Sequence, residues 1–279
     1  GVAYSASIGG IGTLVGSPPN AIAAAQAGIG FAEWMRFGIP MVLLLLPLMV
    51  GVLYLMLRPR LGGQLVLQDE VFEWTPGRRT TLLIFTLTAA GWMAAEPLGR
   101  ALGIAADMDS WVAVAAIVAL VATRVMAWPT IERQTHWGVL LLFGGGLALS
   151  QVMQVSGASA FMADALVGAV QGAPALWLLL GVIAFVVFLT ELVSNTASAA
   201  LMIPIFMGVG PALGLSGPLL AAAIAVSASC AFMLPVATPP NAIVFATDQV
   251  PQATMMRCGL VLNLVCIAVI VVVASVVYS

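Results

Sequence analysis

Long apolar stretches separated by short polar segments dominate this chain of 279 residues. Five of them are nearly uninterrupted, and an α-helix needs about 20 apolar residues to cross the hydrocarbon core of a bilayer. Backbone polar groups in hydrocarbon must be satisfied within the spanning segment or in a closed barrel. The pattern therefore predicts an all-α polytopic membrane protein. The five stretches are 37–57, 80–95, 111–126, 137–152 and 256–277.

The composition excludes several classes of protein. Hydrophobic residues make up 62% of the chain and charged residues only 7%, whereas a soluble domain carries about 25% charged residues. Such a chain cannot cover a globular surface with polar side chains, so a soluble enzyme and a disordered chain are excluded. The nine basic residues are all arginine and oppose eleven carboxylates, which leaves no basic patch for a nucleic acid.

The sequence predicts no catalytic centre and no cofactor. The cysteines Cys230, Cys258 and Cys266 lie in apolar stretches without a CxxC pair, as expected of small buried side chains. His136 is the only histidine, and one histidine cannot supply the usual ligands of a zinc site.

Three further apolar stretches, 2–29, 176–209 and 219–247, are broken by polar residues. The stretch 176–209 has two arms that are each too short to cross, which favours a re-entrant hairpin with its tip at 190–198. Segment 156–170 is more amphipathic and is expected to lie along an interface. Segment 58–79 is a polar loop.

The arginine distribution predicts the orientation. With 176–209 as a hairpin and the other two broken stretches crossing once, seven arginines fall on one side and two on the other. The first side is then cytoplasmic, and the C-terminus lies on the non-cytoplasmic side. If the hairpin crossed instead, the bias would weaken only to six against three, so the hairpin rests on its own sequence.

The breaks in 2–29 and 219–247 contain nearly the same motif. Residues 17–22 read SPPNAI and residues 238–243 read TPPNAI, 221 positions later. Ser or Thr favours an N-cap and Pro favours the first helical turn, so each motif predicts a half-helix that starts inside the membrane. Such starts attract anions, and the unwound residues before them offer carbonyl groups to a cation. The alternative is two proline kinks in packed helices.

The hairpin tip adds polar side chains at membrane depth. Asn195 offers two amide donors and a carbonyl acceptor, and Ser194 and Thr196 offer hydroxyl groups, with Thr196 able to cap the second arm. The alternative is that these side chains only join helices to each other. The adjacent Glu191 is expected either to orient neighbours as an acceptor or to end a helix.

These motifs resemble those of the divalent anion:sodium symporter family, the INDY-type dicarboxylate transporters. The resemblance covers most of the chain and rests on Ser194-Asn195-Thr196, on 238–241 (TPPN), on 7–20 (SIGGIGTLVGSPPN) and on 142–146 (LFGGG). It implies an elevator-type secondary transporter with two inverted repeats, each with a hairpin and a discontinuous helix. The family has two SNT motifs and this chain has one, so the resemblance implies a C-terminal fragment that lacks the first hairpin.

The resemblance also implies the domain organisation. Residues 1–57 would end the first repeat, with the broken helix 2–29 and the span 37–57. Residues 58–79 would form a cytoplasmic loop, and residues 80–279 the second repeat.

Site residues follow from the same resemblance. Ser194, Asn195, Thr196, Thr238 and Pro239 would meet the substrate, with Ser17 and Pro18 as their repeat-related partners. Thr190, Asn195 and the carbonyl group of Ala237 would bind one sodium ion, and the carbonyl group of Gly16 a second one.

The expected function is sodium-coupled symport of a small dianion, a di- or tricarboxylate such as succinate or citrate, by an elevator mechanism. The expected location is a bacterial inner membrane. No lysine occurs in the chain and the arginines lie outside the motifs, which favours symport over exchange. The resemblance implies a homodimer. The alternatives are a carrier of an inorganic oxyanion, an exchanger of the same superfamily and, remotely, an intramembrane hydrolase using Ser159.

Overall fold

The structure is a computed structural model that describes residues 1–58, 73–103, 108–135, 137–158, 161 and 175–278. Within these ranges all regular structure is helical, as predicted. Most of the expected interfacial helix 156–170 and of the expected loop 58–79 lies outside the described residues, but the last four residues of that loop belong to a helix that begins at Pro76.

The described residues form thirteen α-helices, and 3-10 turns at Leu14–Gly16 and Gly210–Leu213. The helices are α1 (Val2–Gly10), α2 (Pro18–Ala27), α3 (Phe31–Leu57), α4 (Pro76–Met93), α5 (Ala95–Leu102), α6 (Met108–Ala122), α7 (Trp128–Gln134), α8 (Trp137–Val155), α9 (Ala175–Leu192), α10 (Asn195–Val209), α11 (Gly217–Ala228), α12 (Pro239–Phe245) and α13 (Gln252–Tyr278).

Two of these helices, α3 and α13, satisfy the length and hydropathy expected of a membrane span. Each has 27 residues, and their first residues, Phe31 and Gln252, are separated by the same 221 positions as the two proline motifs. Four shorter helices, α6, α9, α10 and α11, are also apolar.

Helix α4 begins at Pro76, four residues before the apolar stretch. The Thr75 hydroxyl group accepts a hydrogen bond from the Arg78 backbone N–H at 3.3 Å, and proline occupies the first turn. An N-cap followed by proline starts a helix regardless of the hydropathy that follows, so local chemistry, and not apolarity, sets this boundary.

The chain divides into two compact units. One comprises Gly1–Ile29, Trp34–Arg58 and Gly138–Ser279, and the other comprises Gly30–Glu33 and Pro59–Trp137. In the second unit, Phe31 donates its backbone N–H to the Asp109 carboxylate at 3.2 Å and stacks on Trp92. All the site residues expected from the sequence belong to the first unit.

The broken helices of the first unit pack crosswise. Helix α1 contacts α12, and α11 contacts α2, so the first arm of each break lies on the second arm of the other. Where α2, α10 and α11 meet, the buried core is rich in alanine, including Ala23, Ala199 and Ala225. Small side chains let helix backbones approach closely in a membrane.

Glycine permits equally close packing behind each break. A Cβ atom on Gly38 of α3 would lie 2.7 Å from the Ile11 carbonyl oxygen, and one on Gly259 of α13 would overlap the Phe232 carbonyl group. Gly38 and Gly259 are again 221 positions apart. Each unwound segment therefore rests directly on the backbone of the long helix that follows it.

Candidate functional site

The first break is held open by the amide group of Asn20. This side chain is fully buried, and its Nδ2 atom donates to the Gly10 and Thr13 carbonyl oxygens at 2.9 and 2.8 Å. The Trp34 indole N–H donates to the Ile11 carbonyl oxygen at 2.9 Å. The carbonyl groups freed by the end of α1 thus find side-chain donors.

The second break is held by Asn241 in the same way. Its buried Nδ2 atom donates to the Ala231 and Leu234 carbonyl oxygens at 3.0 and 3.1 Å. The Thr238 hydroxyl group accepts from the Asn241 backbone N–H at 3.3 Å, which makes it the N-cap expected from the sequence.

Ser17 differs from Thr238. It occupies the N-cap position of α2 but makes no side-chain cap bond. Its hydroxyl group lies 3.0 Å from the hydroxyl group of Ser229, which follows α11. Because Ser229 offers a partner from the opposite break, the Ser17 side chain joins the two halves instead of capping its own helix.

The hairpin tip lies between α9 and α10. Ser194, and not Thr196, caps α10, since its hydroxyl group accepts from the Ala197 backbone N–H at 3.4 Å. The buried Thr190 hydroxyl group lies 2.6 Å from the Asn195 Oδ1 atom and 2.9 Å from the Ala228 carbonyl oxygen. The single hydroxyl proton of Thr190 can serve only one of these acceptors fully. The oxygen atoms of Thr190, Asn195 and Ala228 therefore lie close together with one hydroxyl proton between them.

Glu191 is the acceptor that organises the second break. Its Oε1 atom accepts from the backbone N–H groups of Phe232 and Met233 at 2.7 and 2.8 Å, and its Oε2 atom accepts from Leu234 at 3.0 Å. The buried Asn263 amide group of α13 donates to the same Oε1 atom at 2.8 Å. Of the two roles expected for Glu191, the structure therefore shows the orienting one.

A cavity of about 550 Å³ gathers these elements. It is bordered by the hairpin tip and by the second half of each break, and Glu191 is the one charged side chain in its described lining. The residues expected from the sequence that line it are Gly16, Ser17, Pro18, Ser194, Asn195, Thr196, Ala237, Thr238 and Pro239. Thr190 does not line the cavity but contacts Asn195 from behind.

The arrangement suits two kinds of ion. The oxygen atoms of Thr190, Asn195 and Ala228 are hard, uncharged or partly charged ligands of the type that alkali cations accept at broken helices. Helices α2 and α10 begin at the cavity, and their free N–H groups and positive dipole ends favour an anion. Of these three oxygen-bearing residues only Asn195 lines the cavity, so a cation bound by them would lie beside an anion in the cavity.

Asn263 was missed by sequence reasoning. The available signal was one amide side chain within the apolar stretch 256–277, since polar side chains at membrane depth mark functional positions. The partner Glu191 is 72 positions away, and no sequence pattern links them. Ser159, named for the remote hydrolase alternative, lies outside the described residues, as does His136.

The profile of a known transporter family, described as the sodium:sulfate symporter transmembrane region, matches residues 1–278. The chain belongs to this sodium:sulfate symporter family. The resemblance drawn from the SNT and proline motifs is thereby confirmed, because this is the family of divalent anion:sodium symporters. Membership identifies residues 1–278 as part of the transmembrane region of a transporter family.

Relatives of the sodium:sulfate symporter family align over nearly the whole chain. A protein of Haemophilus influenzae named as an uncharacterized transporter is 48% identical over 97% of this chain and 60% of its own length. A second uncharacterized transporter, from Methanocaldococcus jannaschii, is 36% identical over 97% of this chain and 61% of its own length. A protein of Staphylococcus saprophyticus named as a sodium-dependent dicarboxylate transporter is 33% identical over 98% of this chain and 57% of its own length. The chain thus spans about three-fifths of the curated relatives it matches.

Proposed function

We propose that the protein is a sodium-coupled symporter of a small dianion, with di- and tricarboxylates such as succinate and citrate as its substrates. The observation that carries the proposal is that one hairpin tip and two helix breaks border the same cavity. A relative at 33% identity is named a sodium-dependent dicarboxylate transporter, which supports this substrate class.

The hairpin and the helix starts would bind the anion. Ser194, Asn195 and Thr196 offer hydroxyl and amide donors to one carboxylate, and Thr238 with Pro239 borders the same space. Ser17 and Pro18 border it from the first break. Hydrogen bonds of this kind bind carboxylates without a fixed positive charge, which suits a carrier that must release its substrate.

The oxygen ligands would bind sodium. Thr190, the Oδ1 atom of Asn195 and the carbonyl group of Ala237 form one proposed site, and the carbonyl group of Gly16 belongs to the second. Transfer of an unbalanced dianion into a low-dielectric interior is prohibitive, and the described lining of the cavity contains one carboxylate and no cationic side chain. Bound cations are therefore required for the cavity to bind an anion. Substrate and sodium should then each raise the affinity of the protein for the other.

The remaining features are proposed from the resemblance. The first unit would move the site across the membrane as an elevator, within a homodimer in a bacterial inner membrane, with the C-terminus on the non-cytoplasmic side. Symport is favoured over exchange because no lysine or arginine lines the described part of the cavity and could replace a sodium ion.

An inorganic oxyanion is the second candidate substrate, because the description of the matching family names sulfate. Sulfate has a dianion's charge but a single tetrahedral centre, whereas succinate separates two carboxylates. Sulfate would therefore contact one border of the cavity at a time, whereas the two carboxylates of succinate would contact both borders at once.

The test is uptake of labelled succinate into liposomes that contain the full-length protein, with and without an inward sodium gradient. Uptake that needs sodium and resists excess sulfate supports the dicarboxylate. Sodium-dependent uptake of sulfate that succinate does not inhibit would replace it by the oxyanion. Succinate counterflow without sodium would replace symport by exchange.

The matched variants are Asn195→Ala at the hairpin tip and Thr86→Ala on α4. Thr86 is exposed and its hydroxyl group bonds only to the Leu82 carbonyl oxygen one turn earlier, so its loss should leave uptake unchanged. Loss of uptake only in the Asn195 variant, with both proteins inserted, supports the site. Normal uptake by the Asn195 variant contradicts it.

A further inference from the structure

The long helices of the two halves of the first unit carry an amide side chain and an alkyl side chain at one pair of equivalent positions. Asn263 of α13 and Val42 of α3 are 221 positions apart, like the glycines, the proline motifs and the helix starts. Val42 faces the first break with an apolar side chain, whose Cγ2 atom lies 3.4 Å from a Cβ built on Gly12. Asn263 faces the second break with an amide group.

The amide group of Asn263 is unfavourable for packing alone. The side chain is fully buried in an otherwise apolar helix, and its Oδ1 atom has no hydrogen-bond partner among the described residues. An unpaired buried acceptor destabilises the folded state, and Val42 shows that valine serves at the equivalent place. The Asn263 donor must therefore contribute something that valine in the other half does not need to provide.

That contribution is the orientation of Glu191. Three of the four donors to this carboxylate come from consecutive backbone N–H groups at 232–234, and Asn263 supplies the fourth from a different helix. The Oε1 atom is thereby fixed from two directions. Glu191 in turn follows Thr190 directly, and the segment that it binds leads to Ala237.

We propose that Asn263 is a positioning residue for the coupling ion: it holds Glu191 so that Thr190 on α9 and the carbonyl groups of the second break stay in register for one sodium ion. The inference rests on the proposed function, in which Thr190, Asn195 and Ala237 bind sodium. The Glu191 charge beside this site also attracts a cation, and its direction depends on the same hydrogen bond.

The expected consequence concerns sodium and not the maximal rate. Loss of a residue that orients an ion ligand lowers ion affinity by about ten- to a hundredfold. Asn263→Val should therefore raise the sodium concentration for half-maximal effect by at least about tenfold, while uptake at saturating sodium stays within about twofold of wild type.

The experiment measures sodium binding without assuming a substrate. The thermal unfolding temperature of the purified full-length protein is recorded as sodium chloride replaces choline chloride, for the wild type, Asn263→Val and Asn263→Ser. Leu264→Val is the control, because Leu264 neighbours Asn263 on α13 but is exposed. Asn263→Ser keeps a smaller donor, so it should fall between wild type and Asn263→Val and remains informative if the valine variant does not fold.

A double-mutant cycle separates positioning from packing. If Asn263 acts through Glu191, its replacement in a Glu191→Gln background should change sodium affinity far less than in the wild type. Equal sodium titrations of wild type and Asn263→Val, or fully additive effects in the cycle, would overturn the inference alone. A wild-type protein whose unfolding temperature does not respond to sodium would overturn the proposed function, and the inference with it.

Discussion

Asn20 and Asn241 fasten the two helix breaks by the same pair of hydrogen bonds. Each donates its amide group to the carbonyl oxygens ten and seven positions earlier in the chain. Both side chains are fully buried, and the Oδ1 atom of each has no partner among the described residues. Their amide donors therefore define the shape of the unwound segments.

Replacement of either asparagine by alanine should destabilise the protein. Two carbonyl groups at each break would lose their amide donor, at a cost of about 1–3 kcal/mol for each variant. The measurement is thermal unfolding of the purified full-length protein. Asn195→Ala is the control, because Asn195 is only half-buried. This replacement should abolish transport while the unfolding temperature stays near the wild-type value. Equal unfolding temperatures for all three variants would contradict the role of Asn20 and Asn241.

A methyl group at Gly259 should be poorly tolerated. The added Cβ atom would overlap the Phe232 carbonyl group, which cannot move without shifting the second break, and forced overpacking costs about 1–3 kcal/mol or more. Gly51→Ala on α3 is the matched control, since no atom lies within 4 Å of its added Cβ and alanine favours a helix. In a thermal-unfolding assay in detergent, we expect Gly259→Ala to have a lower yield and stability and Gly51→Ala to have neither. A Gly259→Ala variant as stable as Gly51→Ala would refute the close packing.

Thr190→Val should weaken sodium activation. The change keeps the shape of the side chain but removes the hydroxyl group that lies beside Asn195 and the Ala228 carbonyl oxygen. Half-maximal uptake is expected at a sodium concentration raised by about tenfold or more, and Thr88→Val on α4 should leave it unchanged because the Thr88 hydroxyl group bonds only within its own helix. An unaltered sodium titration in the Thr190 variant would remove this residue from the proposed ion site.

Trp34→Phe should reduce stability by about 1 kcal/mol. The indole N–H of Trp34 donates to the Ile11 carbonyl oxygen at 2.9 Å, and the residue is 1% exposed. Phenylalanine would leave this oxygen with the longer 3.4 Å bond from Asn20 Nδ2 and would create a small void. Trp111→Phe is the comparison, because Trp111 is 60% exposed. The difference in unfolding temperature between the two variants measures the buried bond, and its absence would argue against it.

The sequence predicts the breaks well because their chemistry is local. A Ser or Thr followed by two prolines specifies a helix start from neighbouring residues alone, and α2 and α12 begin at those prolines. The hairpin break is equally local, since Ser194 caps the helix that follows it. Only the choice of Ser194 over Thr196 as the cap required the structure.

Bonds between distant residues could not be predicted. Ser17 and Ser229 are 212 positions apart, and Glu191 and Asn263 are 72 apart. The first pair depends on the crosswise packing of the broken helices, and the second depends on the packing of α9 against α13; hydropathy encodes neither. The Ser17 side chain consequently looks like an N-cap in the sequence but joins the two halves in the structure.

The fastening of each break within ten residues bears on how the chain reaches its fold in the first place. Two nearly identical motifs in one chain could exchange partners during synthesis, with the asparagine of one half bound to the carbonyl groups of the other. For a flexible chain, closing a loop over 221 residues costs about 3 kcal/mol more than closing one over ten. Each half therefore has a strong kinetic preference for its own carbonyl groups, and the first break can form before the second has been translated.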